Sequence, residues 1–115
     1  MKMRISDKKA QKKFTEAGIV LKTPIIKIDG FPFHYAQTGS DTLPTLLFIH
    51  GTPGSWDAFQ GFLMNKELLQ HYRLISIDRP GFGYSDFGNA MNLSEQTTII
   101  AAWMDSINNH KPFII

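Results

Sequence analysis

Two short stretches of the sequence concentrate residues that could take part in chemistry. The first, His50-Gly51-Thr52-Pro53-Gly54-Ser55, follows an apolar run that ends at Ile49. The second, "DRPGFGYSD" at residues 78–86, follows the next apolar run along the chain. Glycine permits sharp turns, and proline stiffens a turn without leaving an N–H group unpaired. Phosphate binding and stabilisation of a developing oxyanion are therefore the two chemistries to test.

Neither stretch fits a phosphate-binding motif. A P-loop requires G-x-x-x-x-G-K-[ST], and residues 51–55 have neither this spacing nor the lysine. Gly81-Phe82-Gly83 begins a dinucleotide fingerprint, but Asp86 occupies the position of its third small residue. The oxyanion interpretation fits better, because a sharp turn at Gly51 could point the Thr52 N–H into a cleft above a sheet. Taken alone, however, this loop is better explained as a tight strand-to-helix turn.

The strands that must position these loops are predicted from local patterns. Segments of high β-propensity on either side of Asp29-Gly30 predict a hairpin, in which Pro32 marks a strand end or an edge strand. The continuous apolar runs at 45–50 and 72–78 predict strands buried on both faces, and residues 113–115 predict the start of another. Residues 1–20 are polar and predicted to be weakly helical.

Two helices are predicted between these strands from apolar residues that recur every three to four positions. The first begins after Ser55, a candidate N-cap, and the second spans about 93–109, capped by Ser94 or Asn92. Their predicted apolar faces comprise Trp56, Phe59, Phe62, Leu63 and Leu69 in the first helix and Ile99, Ile100, Trp103, Met104 and Ile107 in the second. This alternation is typical of an α/β fold with a parallel sheet and right-handed crossovers.

Composition restricts the class of protein and its partners. The 115 residues are 43% hydrophobic and 19% charged, which is typical of one globular domain. The net charge of +2 gives no reason to expect a nucleic-acid partner, and no segment approaches the ~18 apolar residues of a membrane-spanning helix. The chain has no cysteine, and its four scattered histidines do not indicate a metal site. The sequence leaves the oligomeric state open.

The first 22 residues are predicted to form a basic, polar leader, followed by a partial domain at residues 23–115. Six cations crowd its beginning, namely Lys2, Arg4, Lys8, Lys9, Lys12 and Lys13. Contact with a membrane surface or an anionic partner is one interpretation, and a solvated, partly frayed leader is the preferred one. Because no apolar run of a signal peptide follows these charges, we expect a cytoplasmic location.

The segments "LLFIHGTPGSWDAF" and "YRLISIDRPGFGYSD" together resemble the amino-terminal half of the α/β-hydrolase fold superfamily. The members they most resemble carry an His-Gly-x-Pro oxyanion loop and a D-x-P-G-x-G-x-S loop one strand later, and the resemblance covers roughly residues 25–115. It implies that Thr52 supplies one oxyanion N–H, while His50, Gly51 and Pro53 shape the loop. The residues that it places on the rim of an active site are Asp78, Arg79, Pro80, Gly81, Gly83 and Ser85. The superfamily acts on small-molecule substrates and usually needs no metal or organic cofactor.

The resemblance places the catalytic residues themselves beyond Ile115. In this superfamily a G-x-S-x-G-like elbow follows the next buried strand, and the acid and the histidine come later still. The nucleophile, serine or aspartate, is thus expected outside this sequence, and no residue within it is assigned a catalytic role. Ser85 comes close to an elbow motif, but Phe87 occupies the position of the last glycine. A turn serine is the preferred interpretation.

Two functions remain as alternatives. The first is a hydrolase of an ester, amide, epoxide or similar small-molecule bond, of which this chain is the part before the elbow. The second is a truncated, non-catalytic fragment or gene remnant, in which the apolar edge of strand 45–50 promotes aggregation. On both, the 115-residue chain alone is expected to be inactive. An intact domain that binds a ligand without chemistry has no support beyond the loops themselves.

Overall fold

Five strands and their connecting helices make up the part of the chain that the structure describes. A computed structural model describes residues 7–28, 30–50, 55–79 and 93–115, with the backbone alone at Leu93. In chain order, the elements are helix α1 (Asp7–Glu16), strands β1 (Ile25–Ile28), β2 (Phe31–Thr38) and β3 (Thr45–Ile49), a 3₁₀ helix (Trp56–Phe59), helices α2 (Gln60–Leu63) and α3 (Lys66–Leu69), strand β4 (Arg73–Ile77), helix α4 (Leu93–Ser106) and strand β5 (Phe113–Ile114).

The strands form one mixed sheet in the order β1-β2-β4-β3-β5. β1 pairs with β2 and β2 with β4 in antiparallel fashion, whereas β3 is parallel to both β4 and β5. The predicted parallel arrangement of the three apolar runs is therefore confirmed. Because Ile49 of β3 lies opposite Ile77 of β4, the residues that follow these two strands leave the sheet side by side at the same edge.

The predicted hairpin is also confirmed. Ile28 pairs with Phe31, so residues 29 and 30 make a two-residue connection. Gly30 has φ +83°, a value that glycine adopts without steric cost. Pro32 is the second residue of β2 and marks a strand end, as one of the two interpretations predicted. The edge-strand alternative is wrong, because β2 has a neighbour on each side.

Alternating residues along β2 and β4 divide the apolar interior into two cores, one on each face of the sheet. The first core contains Ala10, Phe14, Ile19, Leu21, Ala36, Trp56, Leu63 and Leu74. The second contains Ile28, Phe33, Tyr35, Leu47, Ile75, Ile77, Ile99 and Trp103. Helices α1 and α2 thus cover one face and α4 the other, which confirms the layered α/β class. Both tryptophans are fully buried, as predicted.

The first predicted helix is wrong in its continuity. Residues 56–69 form a 3₁₀ helix and two one-turn helices, and Phe62, expected on the buried face, is 51% exposed. Asn65 explains the break, because its side chain accepts hydrogen bonds from the N–H groups of Glu67 and Leu68 and starts a new helix there. Ser55 does not cap through its side chain. Its hydroxyl instead donates to a carboxylate oxygen of Asp57.

The expectation of a solvated leader is wrong for the part of it that the structure describes. Helix α1 exposes its lysines but buries Ala10 and Phe14, which lie four residues apart on one face and join the first core. The division of the chain at residue 22 stays a prediction. No helix within the described ranges combines the length and the apolar character that a membrane span requires.

Candidate functional site

Three of the residues predicted for the site lie in the described part of the chain, namely His50, Asp78 and Arg79. The others fall outside it: Gly51, Thr52, Pro53, Pro80, Gly81, Gly83 and Ser85. The direction of the Thr52 N–H therefore stays a prediction. The described residues do show how the two ends of the 51–54 loop are held.

Both ends of the 51–54 loop are anchored to two consecutive residues after β4. Before the loop, Nε2 of the buried His50 side chain accepts a hydrogen bond from the backbone N–H of Arg79, at 3.0 Å. After the loop, the backbone N–H of Trp56 donates to Oδ1 of Asp78, at 2.7 Å. We call these four residues the loop brace. Since His50 and Asp78 leave adjacent parallel strands, the register of β3 against β4 brings the brace together.

The brace determines the protonation of His50 at one ring nitrogen. Because the Arg79 N–H donates to Nε2, this nitrogen carries a lone pair, and a ring proton resides on Nδ1. If Nε2 were protonated, two hydrogen-bond donors, Nε2–H and the Arg79 N–H, would point at each other. The geometry therefore favours a structural role of His50 over proton transfer at that nitrogen.

Two hydrogen bonds and one aromatic contact fix the position of Trp56. Its N–H donates to Asp78, and its carbonyl oxygen accepts from the Ser76 hydroxyl at 2.8 Å. Its indole is fully buried, with the ring centroid 6.5 Å from that of Phe14 on α1. The residue that begins the 3₁₀ helix is therefore fixed by β4 and by α1 together.

A group of polar side chains that we call the relay lies next to the brace and comprises Asp7, His34 and Asp78. Nδ1 of His34, on β2, is 2.8 Å from Oδ2 of Asp78, and both side chains are fully buried. Nε2 of His34 lies 3.0 and 2.8 Å from the two carboxylate oxygens of Asp7, the first residue of α1. Burial lowers the pKa of His34, but hydrogen bonding to Asp78 and the negative charges of Asp78 and Asp7 raise it more, so the net shift is upward.

Sequence reasoning missed this relay. His34 falls within the predicted hairpin and Asp7 within the predicted leader, and the sequence assigned neither residue a role. The contacts join residues 27 and 44 positions apart, so no spacing rule connects them. The one local signal was a histidine between two aromatic residues, Phe33 and Tyr35, in a predicted strand, since a polar side chain that is buried requires partners.

The placement of Asp78 on the rim of an active site stays a prediction. Its side chain is 0% exposed and accepts hydrogen bonds from Trp56 and His34. The carboxylate therefore lies in the interior of the fold.

The described cavities lie away from the brace. One of about 390 Å³ has Asp41, Arg73 and Asn109 in its lining, and Arg73 begins β4 at the end of the strand opposite the brace. Within the described ranges, no group of three or more histidine, aspartate or glutamate side chains is arranged to hold a metal ion.

The architecture agrees with a family assignment. Residues 44–115 match the family described as alpha/beta hydrolase fold. Because the match spans more than half of the chain, the protein belongs to this family.

Individual relatives are longer proteins. Over 61 residues, which are 53% of this chain, it is 44% identical to "Epoxide hydrolase 1" of Caenorhabditis elegans and 34% identical to "Epoxide hydrolase 4" of Homo sapiens. The chain spans 15% and 16% of the lengths of these two proteins.

Solved structures share the fold. A membrane phospholipase A described as a bacterial virulence factor superposes with a TM-score of 0.74 and 25% identity, over 90% of this chain and 33% of that one. The haloalkane dehalogenase DatA of Agrobacterium tumefaciens C58 gives 0.65 and 26%, over 76% of this chain and 29% of that one. Different hydrolytic chemistries therefore occur on this scaffold.

Proposed function

We propose that this chain is the amino-terminal part of a hydrolase that acts on a small-molecule substrate, with an epoxide as the favoured bond and an ester or amide as the broader class. The loop brace is the observation that carries the proposal, because it fixes both ends of the loop that holds Thr52. The similarity to two epoxide hydrolases supports the choice of bond.

In the proposed mechanism the chain contributes an electrostatic element. A nucleophile supplied from beyond Ile115 attacks an electrophilic carbon, and the Thr52 N–H stabilises negative charge that develops on oxygen. A preorganised donor of this kind lowers the activation barrier by about 2.7–4 kcal/mol. Preorganisation requires a loop that does not adjust during the reaction, and the brace supports this requirement. Without a nucleophile, the 115-residue chain alone does not turn over substrate, and its expected location is the cytoplasm.

The alternative is a non-catalytic fragment, and one observation bears on how the 115-residue chain behaves in isolation. β5 pairs with β3 at Thr45 and Leu46. Within the described ranges, the next three residues of β3 have no strand partner on that side. Such an apolar edge is typical of chains that aggregate, so we expect the isolated 115-residue chain to be poorly soluble.

The first experiment is to sequence the coding DNA and the transcript past the codon for Ile115. An in-frame continuation with a G-x-S-x-G-like or G-x-D-x-G-like elbow, followed by an acid and a histidine, supports the hydrolase. A stop codon directly after Ile115 contradicts it and supports the fragment.

If the frame continues, the extended protein tests the role of Thr52. Hydrolysis of styrene oxide and of p-nitrophenyl acetate is measured for the wild type, Thr52→Pro and Thr52→Ala. Proline removes the N–H and alanine keeps it, so kcat should fall about 10²–10³-fold in the first variant and little in the second. Equal losses in both variants, with unchanged thermal stability, would contradict the oxyanion role.

A further inference from the structure

We propose that His34 is a positioning residue for Trp56: in its protonated form it clamps Asp78 and Asp7 and thereby seats helix α1 against Trp56. The relay joins three elements: the end of β4, the middle of β2 and the first turn of α1. The link between the relay and catalysis rests on the proposed function, but the seating of α1 does not.

Protonation decides how many carboxylates His34 can hold. An imidazolium donates from both ring nitrogens, whereas a neutral ring donates from only one. When the proton leaves, one carboxylate faces a lone pair. Asp78 also accepts from the Trp56 N–H and is fully buried, while the Asp7 side chain is 28% exposed and can turn to water. We therefore expect His34 to keep Asp78 and to release Asp7.

The charges that act on His34 come from two elements packed against it. Asp7 on α1 and Asp78 at the end of β4 both raise its pKa. On β1, the residue paired with His34 is Ile25, which carries no charge. The folded-state pKa lies above the unfolded value, so the clamp is complete at pH values below the unfolded pKa. It is lost as pH rises through the folded pKa.

Release of Asp7 affects Trp56 through Phe14. This side chain is fully buried, belongs to α1, and packs beside the indole of Trp56. Asp7 and Phe14 lie two helical turns apart on the same element, so loosening of the first turn weakens the support on this side of Trp56. The clamp thus couples the protonation of one buried histidine to the packing of Trp56.

Hydrogen exchange tests the clamp without any substrate. The 115-residue chain, fused to a soluble carrier, is pulse-labelled between pH 6 and pH 9, and protection is corrected for the intrinsic exchange rate. In the wild type, the protection of α1 amides should fall about tenfold or more as pH rises. A change of this size corresponds to the loss of one hydrogen bond to a charged group. Protection of β4 should fall less than threefold, because the sheet stays folded.

Two variants separate the clamp from other effects. Asp7→Asn should show the low α1 protection at every pH, without the alkaline step. Glu16→Gln removes a carboxylate from the exposed end of the same helix and should keep the step.

Three results would overturn the proposal. They are a wild type whose α1 protection does not depend on pH, a step that survives in Asp7→Asn, and a loss of protection in β4 equal to that in α1. The comparison of α1 with β4 in the wild type decides the matter even if a variant unfolds. Because no activity is measured, the outcome is independent of whether the chain belongs to an active hydrolase.

Discussion

Replacing Asp78 with asparagine tests the loop brace and the relay together. The substitution keeps the size of the side chain, and its amide oxygen can still accept from the Trp56 N–H. The negative charge is lost, however, and the amide nitrogen faces His34. Hydrogen bonds to charged groups contribute about 1.5–3 kcal/mol each, against about 1 kcal/mol for a neutral one. We therefore expect Asp78→Asn to lower the free energy of unfolding by about 2–5 kcal/mol.

This loss is large for a chain of this size. At roughly 0.05–0.15 kcal/mol per residue, the whole domain has about 6–17 kcal/mol of stability. The assay is urea unfolding followed by tryptophan fluorescence, in which the midpoint should fall while the slope stays unchanged. Asp105→Asn is the matched control, since Asp105 lies on the exposed face of α4. It should stay within about 0.5 kcal/mol of the wild type.

The pH dependence provides the second half of the test. In the wild type, the raised pKa of His34 stabilises the fold below its unfolded pKa. This contribution is lost as pH rises through the folded pKa. In Asp78→Asn the hydrogen bond and the charge of Asp78 no longer raise the pKa of His34, while burial still lowers it and Asp7 still raises it. The loss of stability with rising pH should therefore be smaller in the variant than in the wild type, or absent. A variant as stable as Asp105→Asn, or one with the alkaline slope of the wild type, would refute the reasoning.

Two further predictions concern the scaffold beneath the site. Gly39 has φ +88°, and a Cβ there would lie 2.6 Å from the carbonyl oxygen of Tyr72, whereas Gly30 has φ +83° and open space around it. Gly30→Ala should lower the free energy of unfolding by about 1–2 kcal/mol, and Gly39→Ala should lower it by more. Equal losses of the two variants in urea unfolding would contradict the steric contact at Gly39. Arg73→Lys keeps the charge but loses the hydrogen bonds to the Thr45 hydroxyl and the Ile107 carbonyl oxygen. We expect the free energy of unfolding to fall by about 1–3 kcal/mol. An unchanged midpoint of urea unfolding would show that lysine replaces both hydrogen bonds.

The strands could be predicted from the sequence because their signals are local. Asp29-Gly30 between β-prone segments predicts a two-residue turn, and the continuous apolar run 45–50 predicts a strand within a covered parallel sheet. The helical region after Ser55 was harder, because its apolar spacing fits one long helix. The capping side chain of Asn65 divides it, and the tertiary contacts decide that Leu63 is buried while Phe62 is exposed.

The relay could not be predicted, for a different physical reason. Its energy arises from burial of Asp78 and His34 and from the position of Asp7, none of which is encoded in a short spacing. The lysines of α1 favoured a solvated helix, although Ala10 and Phe14 at positions i and i+4 were a signal of a packed face. A contact between a helix start and a strand exists only once the sheet has formed.

The position of β4 has a consequence for how the protein is made. β2 and β3 follow each other along the chain, but β4 lies between them in the sheet. Until residues 73–77 have left the ribosome, the inner edges of both earlier strands have no partner from this sheet. At a synthesis rate of about 5–20 residues per second, the growing chain spends roughly 2–8 s between the end of β2 and the end of β4. During these seconds one edge of β2 and one edge of β3 lack their partner strand. Insertion of β4 joins the two strands into one sheet and brings Asp78 next to His34.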